Sequence, residues 1–473
     1  MNVDYDLLVI GSGPAGEKGA AQAAFFGKKV LLVEKQPVLG GACVNTGTLP
    51  SKTLRETALY MSGFQQRRLY GVHCRFEGES VGVPDLMCRK QPVIDAEIDR
   101  INRNIARHQI ELVHGTARFL ERHTLEISLP DGRTRRVTAS IILIAVGSRP
   151  ARPAGFPWDA GDIEDSDSIL KLDRMPHSMI VVGGGVIGCE YAGMFQQLNV
   201  QVTLLDRGER LLPFLDEEMC SQLGLFFRSM GMNVIQKADI ERTEAVKPHG
   251  VRVHLRGGQR VEADKLLFAA GRVGNTDTLN LAGAGLEAND RGHIKVDEHY
   301  RTAVENIYAV GDCIGIPALA SVSMDQARVA MCAAFEWKYK RRVNPLLPMG
   351  IYSIPEISCV GMTEQDARVS GASYSVGRAS YRDNARGQII GDVDGLLKII
   401  IREPDRKLMG VHIIGDRATE LIHIGLTHMH HGATADDLID IVYNFPTLSE
   451  CYKYAAYNSL GTKPHIGRGQ AQP

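Results

Sequence analysis

Three glycines near the N-terminus, Gly11, Gly13 and Gly16, have the spacing of a phosphate-binding turn. They follow a short apolar run, residues 5–10, and precede an alanine-rich segment. Glycines at these positions permit a tight turn and a close approach to a pyrophosphate, and the N-terminus of the next helix supplies partial positive charge. Glu34 lies 23 residues after Gly11, where a carboxylate would accept hydrogen bonds from a ribose. The stretch predicts a dinucleotide site.

The same pattern recurs in the middle of the chain, at Gly183, Gly185 and Gly188. A single match is weak evidence in a chain with 49 glycines. The acidic residue recurs as well, because Asp206 lies 23 residues after Gly183. Two turns with identical downstream spacing predict two dinucleotide sites.

The residues after the second acidic position bear on which nucleotide binds there. Asp206 alone favours the 2′-hydroxyl of NAD, whereas the nearby Arg207 and Arg210 could hold the 2′-phosphate of NADP. These arginines could equally be solvated surface residues. The sequence therefore leaves both nucleotides open.

The elements that would position these residues follow the order of an α/β chain. Short apolar runs predict buried parallel strands, with a hairpin at residues 130–132, and alternating strands with an amphipathic helix follow from about residue 347. Polar stretches are expected at residues 67–90 and 467–473. The fold class is α/β, with two Rossmann-like domains and an α+β C-terminal domain. The expected domain ranges are 1–150 with 275–346, 151–274, and 347–473.

Composition excludes several function classes. A formal net charge of −1 argues against a nucleic-acid or acidic-membrane partner, and no apolar run approaches a bilayer-spanning length. Because the first strand begins by Tyr5, we expect no signal peptide. The nine cysteines, which include no Cys-x-x-Cys pair, predict a reducing cytoplasm and no structural zinc site. Residues 428–431 contain three histidines, but neighbouring positions on a helix do not share a face, so no metal site is expected.

Together these signals resemble the flavin disulfide reductase family, over residues 5 to about 460. The resemblance implies bound FAD, NAD(H) and NADP(H) as substrates, and a homodimer or larger homo-oligomer. It implies that Gly147 lies in a crossover segment, that Asp312 faces the ribityl chain, and that Leu319 and Ala320 present backbone to the isoalloxazine. It places the cofactor-binding residues at Gly11, Gly13, Gly16, Glu34, Lys35, Gly41, Ala42, Cys43, Lys52, Thr116, Ala117, Gly147, Gly183, Gly185, Val186, Ile187, Gly188, Glu190, Asp206, Arg207, Arg210, Gly271, Asp312, Leu319 and Ala320.

Two departures from the family pattern narrow the activity. Disulfide reductases of the family carry a second cysteine five positions after the first, where this chain has Thr48 after Cys43. They also carry a histidine as acid/base before the Pro-Thr of a C-terminal motif, where this chain has Phe445, although Glu450 remains. A threonine hydroxyl cannot be oxidised to a disulfide, and a phenylalanine ring has no proton to transfer. The combination resembles the soluble transhydrogenase branch, in which a tyrosine is the expected aromatic residue.

The resemblance implies a ping-pong hydride relay between NADPH and NAD+ through flavin N5. Lys52 would stabilise the electron-rich reduced flavin, and Glu190 resembles the family glutamate that pairs with this lysine. Alternatively, Lys52 is a surface lysine at a helix start and Glu190 is an ordinary helix carboxylate. Cys43 would be a small residue packed against the flavin or a redox-sensitive thiol.

Three rival functions remain open. The first is an NAD(P)H:quinone or dye reductase, which shares the reductive half of the reaction. The second is a non-catalytic, redox-sensing flavoprotein. The third is a dithiol reductase in which another cysteine, for example Cys313 or Cys451, reaches the flavin.

Overall fold

The computed structural model describes residues 3–63 and 82–461. The expected polar tail, residues 467–473, and most of the polar stretch at 67–90 lie outside the described residues.

The described chain alternates strands and helices. The strands are β1 (Tyr5–Ile10), β2 (Val30–Glu34), β3 (Glu111–His114), β4 (Thr116–Glu121), β5 (Thr124–Ser128), β6 (Thr134–Ile144), β7 (Ser148–Pro150), β8 (Ile163–Asp165), β9 (Ser178–Val182), β10 (Gln201–Leu205), β11 (Asn233–Ile235), β12 (Ile240–Ala245), β13 (Val251–Leu255), β14 (Arg260–Ala263), β15 (Lys265–Phe268), β16 (Arg272–Gly274), β17 (Ile307–Ala309), β18 (Met349–Ile351), β19 (Ile357–Gly361), β20 (Tyr374–Ser380), β21 (Leu396–Arg402) and β22 (Leu408–Ile414). The helices are α1 (Pro14–Phe25), α2 (Gly41–Asn45), α3 (Thr48–Ser62), α4 (Val83–Met87), α5 (Lys90–Arg107), α6 (Val186–Gln197), α7 (Glu217–Ser229), α8 (Ala320–Ala334), α9 (Glu364–Ser370), α10 (Ala385–Ile390), α11 (Ala418–His430), α12 (Ala435–Asp440) and α13 (Cys451–Leu460).

The chain divides into two compact units. The first unit comprises Met1–Leu54, Met87–Arg152 and Gly271–Asn344, and the second comprises Arg55–Leu86, Pro153–Ala270 and Pro345–Pro473. Each unit is discontinuous in sequence, because the chain leaves the first unit and returns to it twice.

The first unit is built on a mixed sheet in the order β3-β2-β1-β6-β5-β4, with β17 also paired to β6. Strands β1, β2, β3 and β17 run parallel to their neighbours, and β4 and β5 form the antiparallel part. Leu7, Leu8 and Val9 of β1 are fully buried although they point alternately to opposite faces. A strand covered on both faces has the continuous apolar run that the sequence shows.

The second unit contains a parallel sheet in the order β11-β10-β9-β15-β8, an antiparallel meander β12-β13-β14 and an antiparallel sheet β18-β19-β22-β21-β20. The strands expected near residues 397–401 and 408–414 are β21 and β22, and the helix expected after Asp416 is α11. The predicted α/β fold class is confirmed.

A buried group of charges joins two parts of the second unit. Lys398 of β21 is 2% exposed, and its Nζ lies 2.8 Å from Asp216, 3.0 Å from Glu218 and 2.7 Å from Glu364. Burial raises the pKa of the Asp216 carboxyl, but the electrostatic effect of His412 together with the hydrogen bond and positive charge of Lys398 outweighs burial and leaves that pKa below its ordinary value. We call Lys398 and its three carboxylate partners the buried ion cluster.

Candidate nucleotide sites

The first glycine turn, between β1 and α1, has room for glycine alone at two positions. Gly11 has a φ of +100°, and a Cβ there would lie 2.5 Å from the carbonyl oxygen of Ala145. A Cβ on Gly16 would lie 1.8 Å from the carbonyl oxygen of Gly11. Any larger residue would therefore force the turn open, and α1 would move away from the strand that leads into it.

Glu34, at the end of β2, is held against this turn by three donors. Its Oε2 accepts from the backbone N–H of Ser12 at 2.9 Å and from the Ser12 hydroxyl at 2.7 Å. Its Oε1 accepts from the N–H of Gln36 at 2.8 Å. The carboxylate is thus oriented before any ligand binds. Sequence reasoning gave Ser12 no role, although its place between the first two glycines was the available signal.

Asp312 follows β17 and has an anchor that sequence reasoning missed. The Ser148 hydroxyl donates to Asp312 Oδ2 at 2.6 Å, and Arg272 Nε donates to the same hydroxyl at 2.8 Å. A second donor of Arg272, Nη2, reaches the carbonyl oxygen of Ser148 at 2.8 Å. Through these hydrogen bonds, Arg272 holds the Ser148 hydroxyl, and Ser148 holds one oxygen of the Asp312 carboxylate.

Cys43 and Thr48 meet at the junction of α2 and α3. Burial raises the pKa of the Cys43 thiol; a side-chain hydrogen bond with Thr48 and the charge of Lys52 oppose that effect only in part. The thiol is therefore protonated near neutral pH. Lys52 is half-buried and follows Thr48 by one turn of α3.

Two other cysteines that could have supplied a redox partner are buried within the fold. Cys313 and Cys451 are both 0% exposed, and burial raises the pKa of each thiol to about 12. The Cys313 thiol donates to the carbonyl oxygen of Val310 at 3.2 Å. A thiol of this kind is unreactive because the thiolate is the nucleophile.

The remaining expected site residues of the first unit occupy several elements, and Gly41 among them contacts the first turn. Gly41 begins α2 with a φ of +57°, and a Cβ on it would lie 2.8 Å from Gly13 Cα, so the two glycines approach closely. Leu319 is the N-cap residue of α8 and Ala320 its first residue. The others occupy strand ends, helix starts and loops at Lys35, Ala42, Thr116, Ala117, Gly147 and Gly271.

The second glycine turn, between β9 and α6, repeats the first turn in the second unit. Gly183 has a φ of +115°, and a Cβ on Gly188 would lie 1.8 Å from the carbonyl oxygen of Gly183. Gly185 has open space around its missing Cβ. Val186 and Ile187 form the first turn of α6. The N-terminus of this helix and the open side of Gly185 together suit a pyrophosphate.

Asp206, at the end of β10, is bound to this second turn as Glu34 is to the first. Its Oδ1 accepts from the N–H of Gly184 at 2.9 Å. Of the two expected arginines, Arg210 forms an ion pair with Glu217 at 2.5 Å, whereas Arg207 is exposed. The side chains of Arg210 and Glu217 are 42% and 48% exposed, so the ion pair contributes little free energy and Arg210 can exchange Glu217 for another anion at little cost.

Glu190 lies on α6 and is 7% exposed. Its Oε1 accepts from the backbone N–H of Tyr352 at 2.9 Å. The carboxylate therefore has a structural partner within the second unit, and its pairing with Lys52 stays a prediction.

Two further features of the sequence are Phe445, at the position where the family has its acid/base histidine, and the histidines within residues 428–431. Phe445 is exposed, and Glu450 ends a short 3-10 helix that leads into α13. Among residues 3–63 and 82–461, no group of three or more His, Cys, Asp and Glu side chains is arranged to hold a metal ion. Within the same ranges, no helix has the length and apolar character needed to cross a membrane.

Comparison with known proteins extends these observations over nearly the whole chain. Residues 5–327 match the family model for pyridine nucleotide-disulphide oxidoreductases, and residues 347–456 match that family's dimerisation domain. A soluble pyridine nucleotide transhydrogenase of Mycobacterium tuberculosis is 45% identical over 461 residues, 97% of each chain. One from Klebsiella pneumoniae is 41% identical over 460 residues, 97% of this chain and 98% of the other.

Two solved structures are similar throughout. The HOCl-induced flavoprotein disulfide reductase RclA from Escherichia coli, as its Cu(II) complex, superposes with a TM-score of 0.87 at 28% identity, over 97% of this chain and 99% of that chain. LpdA from Mycobacterium tuberculosis superposes with a TM-score of 0.87 at 26% identity, over 95% of this chain and 99% of that one. The paired glycine turns, their acidic strand ends and these matches agree, and the chain belongs to the pyridine nucleotide-disulphide oxidoreductase family.

Proposed function

We propose that this oxidoreductase transfers hydride reversibly between NADPH and NAD+, with FAD as the carrier and without a redox disulfide. The observation that carries the proposal is the pairing of Cys43 with Thr48. A hydroxyl forms no disulfide, so the site offers one sulfur where a thiol relay needs two. The names of the similar transhydrogenases support the same activity.

The residues of the first unit fit FAD. Gly11 and Gly16 form a turn that any Cβ would fill, and Glu34 and Asp312 are carboxylates oriented by protein donors. When bound, FAD supplies an acceptor and donor of hydride between two nicotinamide nucleotides. Glu34 would hold the ribose, and Asp312 would hold a hydroxyl of the ribityl chain.

The chain's own residues would bind and orient the reactants. Lys52 would place a positive charge beside the flavin, where negative charge develops on reduction. In the second unit, the turn at Gly183 and Gly185 would hold the pyrophosphate of the nicotinamide nucleotide. Asp206 would accept from the 2′-hydroxyl of NAD, and the exposed Arg207 would approach the 2′-phosphate of NADP.

The assembly and the compartment belong to the same proposal. A dimerisation domain at residues 347–456 supports a homodimer. The cofactor chemistry and the free cysteines support a reducing cytoplasm.

An anaerobic stopped-flow experiment tests the activity. The purified protein is mixed with NADPH and then with NAD+, while the flavin absorption band is followed. We expect rapid bleaching and equally rapid recovery. Recovery by a quinone but not by NAD+ would favour the quinone reductase, and a band that NADPH does not bleach would favour the non-catalytic flavoprotein.

A count of reactive thiols tests the absence of a redox disulfide. Denatured samples, one oxidised and one reduced by NADPH under argon, are titrated with a chromogenic disulfide reagent. We expect the same number of thiols in both samples. Two additional thiols after reduction would contradict the proposal, and a known dithiol reductase of the family serves as the positive control.

A further inference from the structure

An exposed group of aromatic rings lies on the first unit, at the C-terminal ends of α1 and α8. Phe25 and Phe26 end α1, and Trp337 and Tyr339 follow α8. Phe25 is 72% exposed and Tyr339 is 73% exposed. A large aromatic side chain left in water has a free-energy cost, and several together mark an interaction surface.

The rings form one continuous apolar surface. The centroids of Phe26 and Trp337 are 4.4 Å apart, and those of Phe25 and Phe26 are 5.3 Å apart in an edge-to-face arrangement. On its other side, Trp337 lies 5.0 Å from Phe335. Trp337 therefore ties the two sequence segments together, and Phe25 and Tyr339 project from that base.

Cationic side chains accompany the rings. Within residues 335–342, one carboxylate, Glu336, occurs with four basic residues. Lys338, Arg341 and Arg342 are exposed, whereas Lys340 pairs with Asp325. On the α1 side, Lys28 Nζ lies 4.8 Å from the centre of the Phe335 ring. We call the rings of Phe25, Phe26, Trp337 and Tyr339 with Lys28, Lys338, Arg341 and Arg342 the aromatic-basic patch.

We propose that the aromatic-basic patch docks the protein reversibly on an anionic lipid surface. Phe, Tyr and Trp side chains enter the headgroup region with their apolar bodies, and flanking Lys and Arg side chains attract anionic headgroups. The patch has both components at one site. Its positive charge complements a negatively charged partner.

The ring contacts favour lipid over single-stranded nucleic acid. Bases stack on open aromatic faces. Here Phe26 and Trp337 lie against each other, and Trp337 also stacks on Phe335, so their faces are occupied within the protein. What remains outward is a contiguous apolar surface, which suits insertion into a lipid interface better than stacking.

Because the whole chain is nearly neutral, the attraction to anionic lipid is confined to the aromatic-basic patch. A net charge of −1 supplies no long-range attraction and led to the expectation of no acidic-membrane partner. At physiological ionic strength, charges interact over roughly 8 Å, so the patch acts independently of the distant carboxylates. The proposed docking does not depend on the proposed transhydrogenase activity.

Co-sedimentation of the FAD-containing full chain with vesicles tests the proposal. The vesicles are phosphatidylcholine alone or phosphatidylcholine with roughly one-third phosphatidylserine. We expect binding to the phosphatidylserine vesicles alone, weakened by high salt. Two variants remove the two components separately: Phe25→Ser with Tyr339→Ser, and Arg341→Glu with Arg342→Glu. Each should lower the bound fraction by about fivefold or more.

Matched controls lie on the second unit. Val369→Ser removes an apolar side chain that is 88% exposed, and Lys247→Glu with Arg260→Glu makes the same change in charge at exposed positions. Both controls should bind vesicles like the unchanged protein, and all variants should keep their flavin and their circular dichroism. The proposal is overturned if the unchanged protein does not sediment, if patch and control variants behave alike, or if it binds oligothymidylate but not vesicles.

Discussion

The hydroxyl of Ser148 connects a carboxylate to a guanidinium in the first unit. It donates to Asp312 and accepts from Arg272, so one small side chain sets the direction of both charged groups. Under the proposed function, Asp312 receives a hydroxyl of the ribityl chain. A carboxylate whose plane is already set loses less orientational entropy when it binds. Ser148 is therefore a positioning residue.

Replacing Ser148 by alanine should weaken retention of FAD. A hydrogen bond to a charged group contributes about 1.5–3 kcal/mol, which corresponds to roughly tenfold or more in the dissociation constant. The measurement is flavin fluorescence on titration of the apoprotein. Ser148→Thr keeps the hydroxyl and should bind FAD like the unchanged protein. If the threonine variant lost as much affinity as the alanine variant, the hydroxyl would not be the cause.

At the scale of elements, the two glycine turns show the same construction in two different units. In each, the N–H of the residue after the first glycine donates to the acidic residue at the end of the next strand, at 2.9 Å in both cases. One difference has a steric cause: the first turn has Ser12 where the second has Gly184, and a Cβ on Gly184 would lie 2.6 Å from Asp206 Cγ.

Two alanine substitutions in the second turn should separate folding from binding. Gly188→Ala places its Cβ against the Gly183 carbonyl, so we expect lower stability by roughly 1–3 kcal/mol or more. Gly185→Ala has a φ of −81° and open space, so the fold should be unchanged while the KM for both nucleotides rises. Thermal denaturation and steady-state kinetics measure the two effects. A Gly185→Ala protein that unfolded early would disprove this division of roles.

At the scale of the whole molecule, long-range polar contacts join segments that are distant in sequence. Lys398 belongs to the C-terminal antiparallel sheet, and Asp216 is the N-cap of α7 beside the parallel sheet. Both side chains are almost fully buried. Removing one partner of such a pair leaves uncompensated buried charge, which costs far more than the pair contributes.

The variant Lys398→Met should be less stable by about 3–5 kcal/mol at neutral pH. The folded protein lowers the pKa of Asp216, so the ionised carboxylate stabilises the fold at any pH above the ordinary carboxyl pKa. This contribution is lost as the pH falls through the lowered pKa. The unchanged protein therefore loses it only in acid. In the variant the carboxylates take up protons more readily. The difference in urea midpoint should therefore shrink as pH falls from about 7 to about 4.

An exposed ion pair supplies the control for this experiment. Lys237 and Glu209 lie 2.7 Å apart with side chains 68% and 78% exposed. Lys237→Met should leave the urea midpoint nearly unchanged at every pH, because solvent screens an exposed pair. A Lys398→Met deficit that stayed constant with pH would show that lost packing, not charge, is responsible.

The sequence predicted the fold through local signals, and it missed what depends on distant partners. A few neighbouring residues determine each glycine turn, each buried apolar strand and the C-terminal helix, so their patterns can be recognised in the sequence. Ser148 and Asp312 are 164 positions apart, and Lys398 and Asp216 are 182 apart, with no periodicity that connects them. The domain ranges and the Lys52–Glu190 pair stay predictions.

The equal closeness of Gly16 to Gly11 and of Gly188 to Gly183 has a consequence for redesign. In both turns a hypothetical Cβ would lie the same 1.8 Å from a carbonyl oxygen, so this backbone constraint carries no information on which dinucleotide binds. Under the proposed function, discrimination falls to the side chains at the ends of β2 and β10. Substitutions at Asp206, Arg207 and Arg210 would then change the preference between NAD and NADP in the second unit and leave Glu34 of the first unit unchanged.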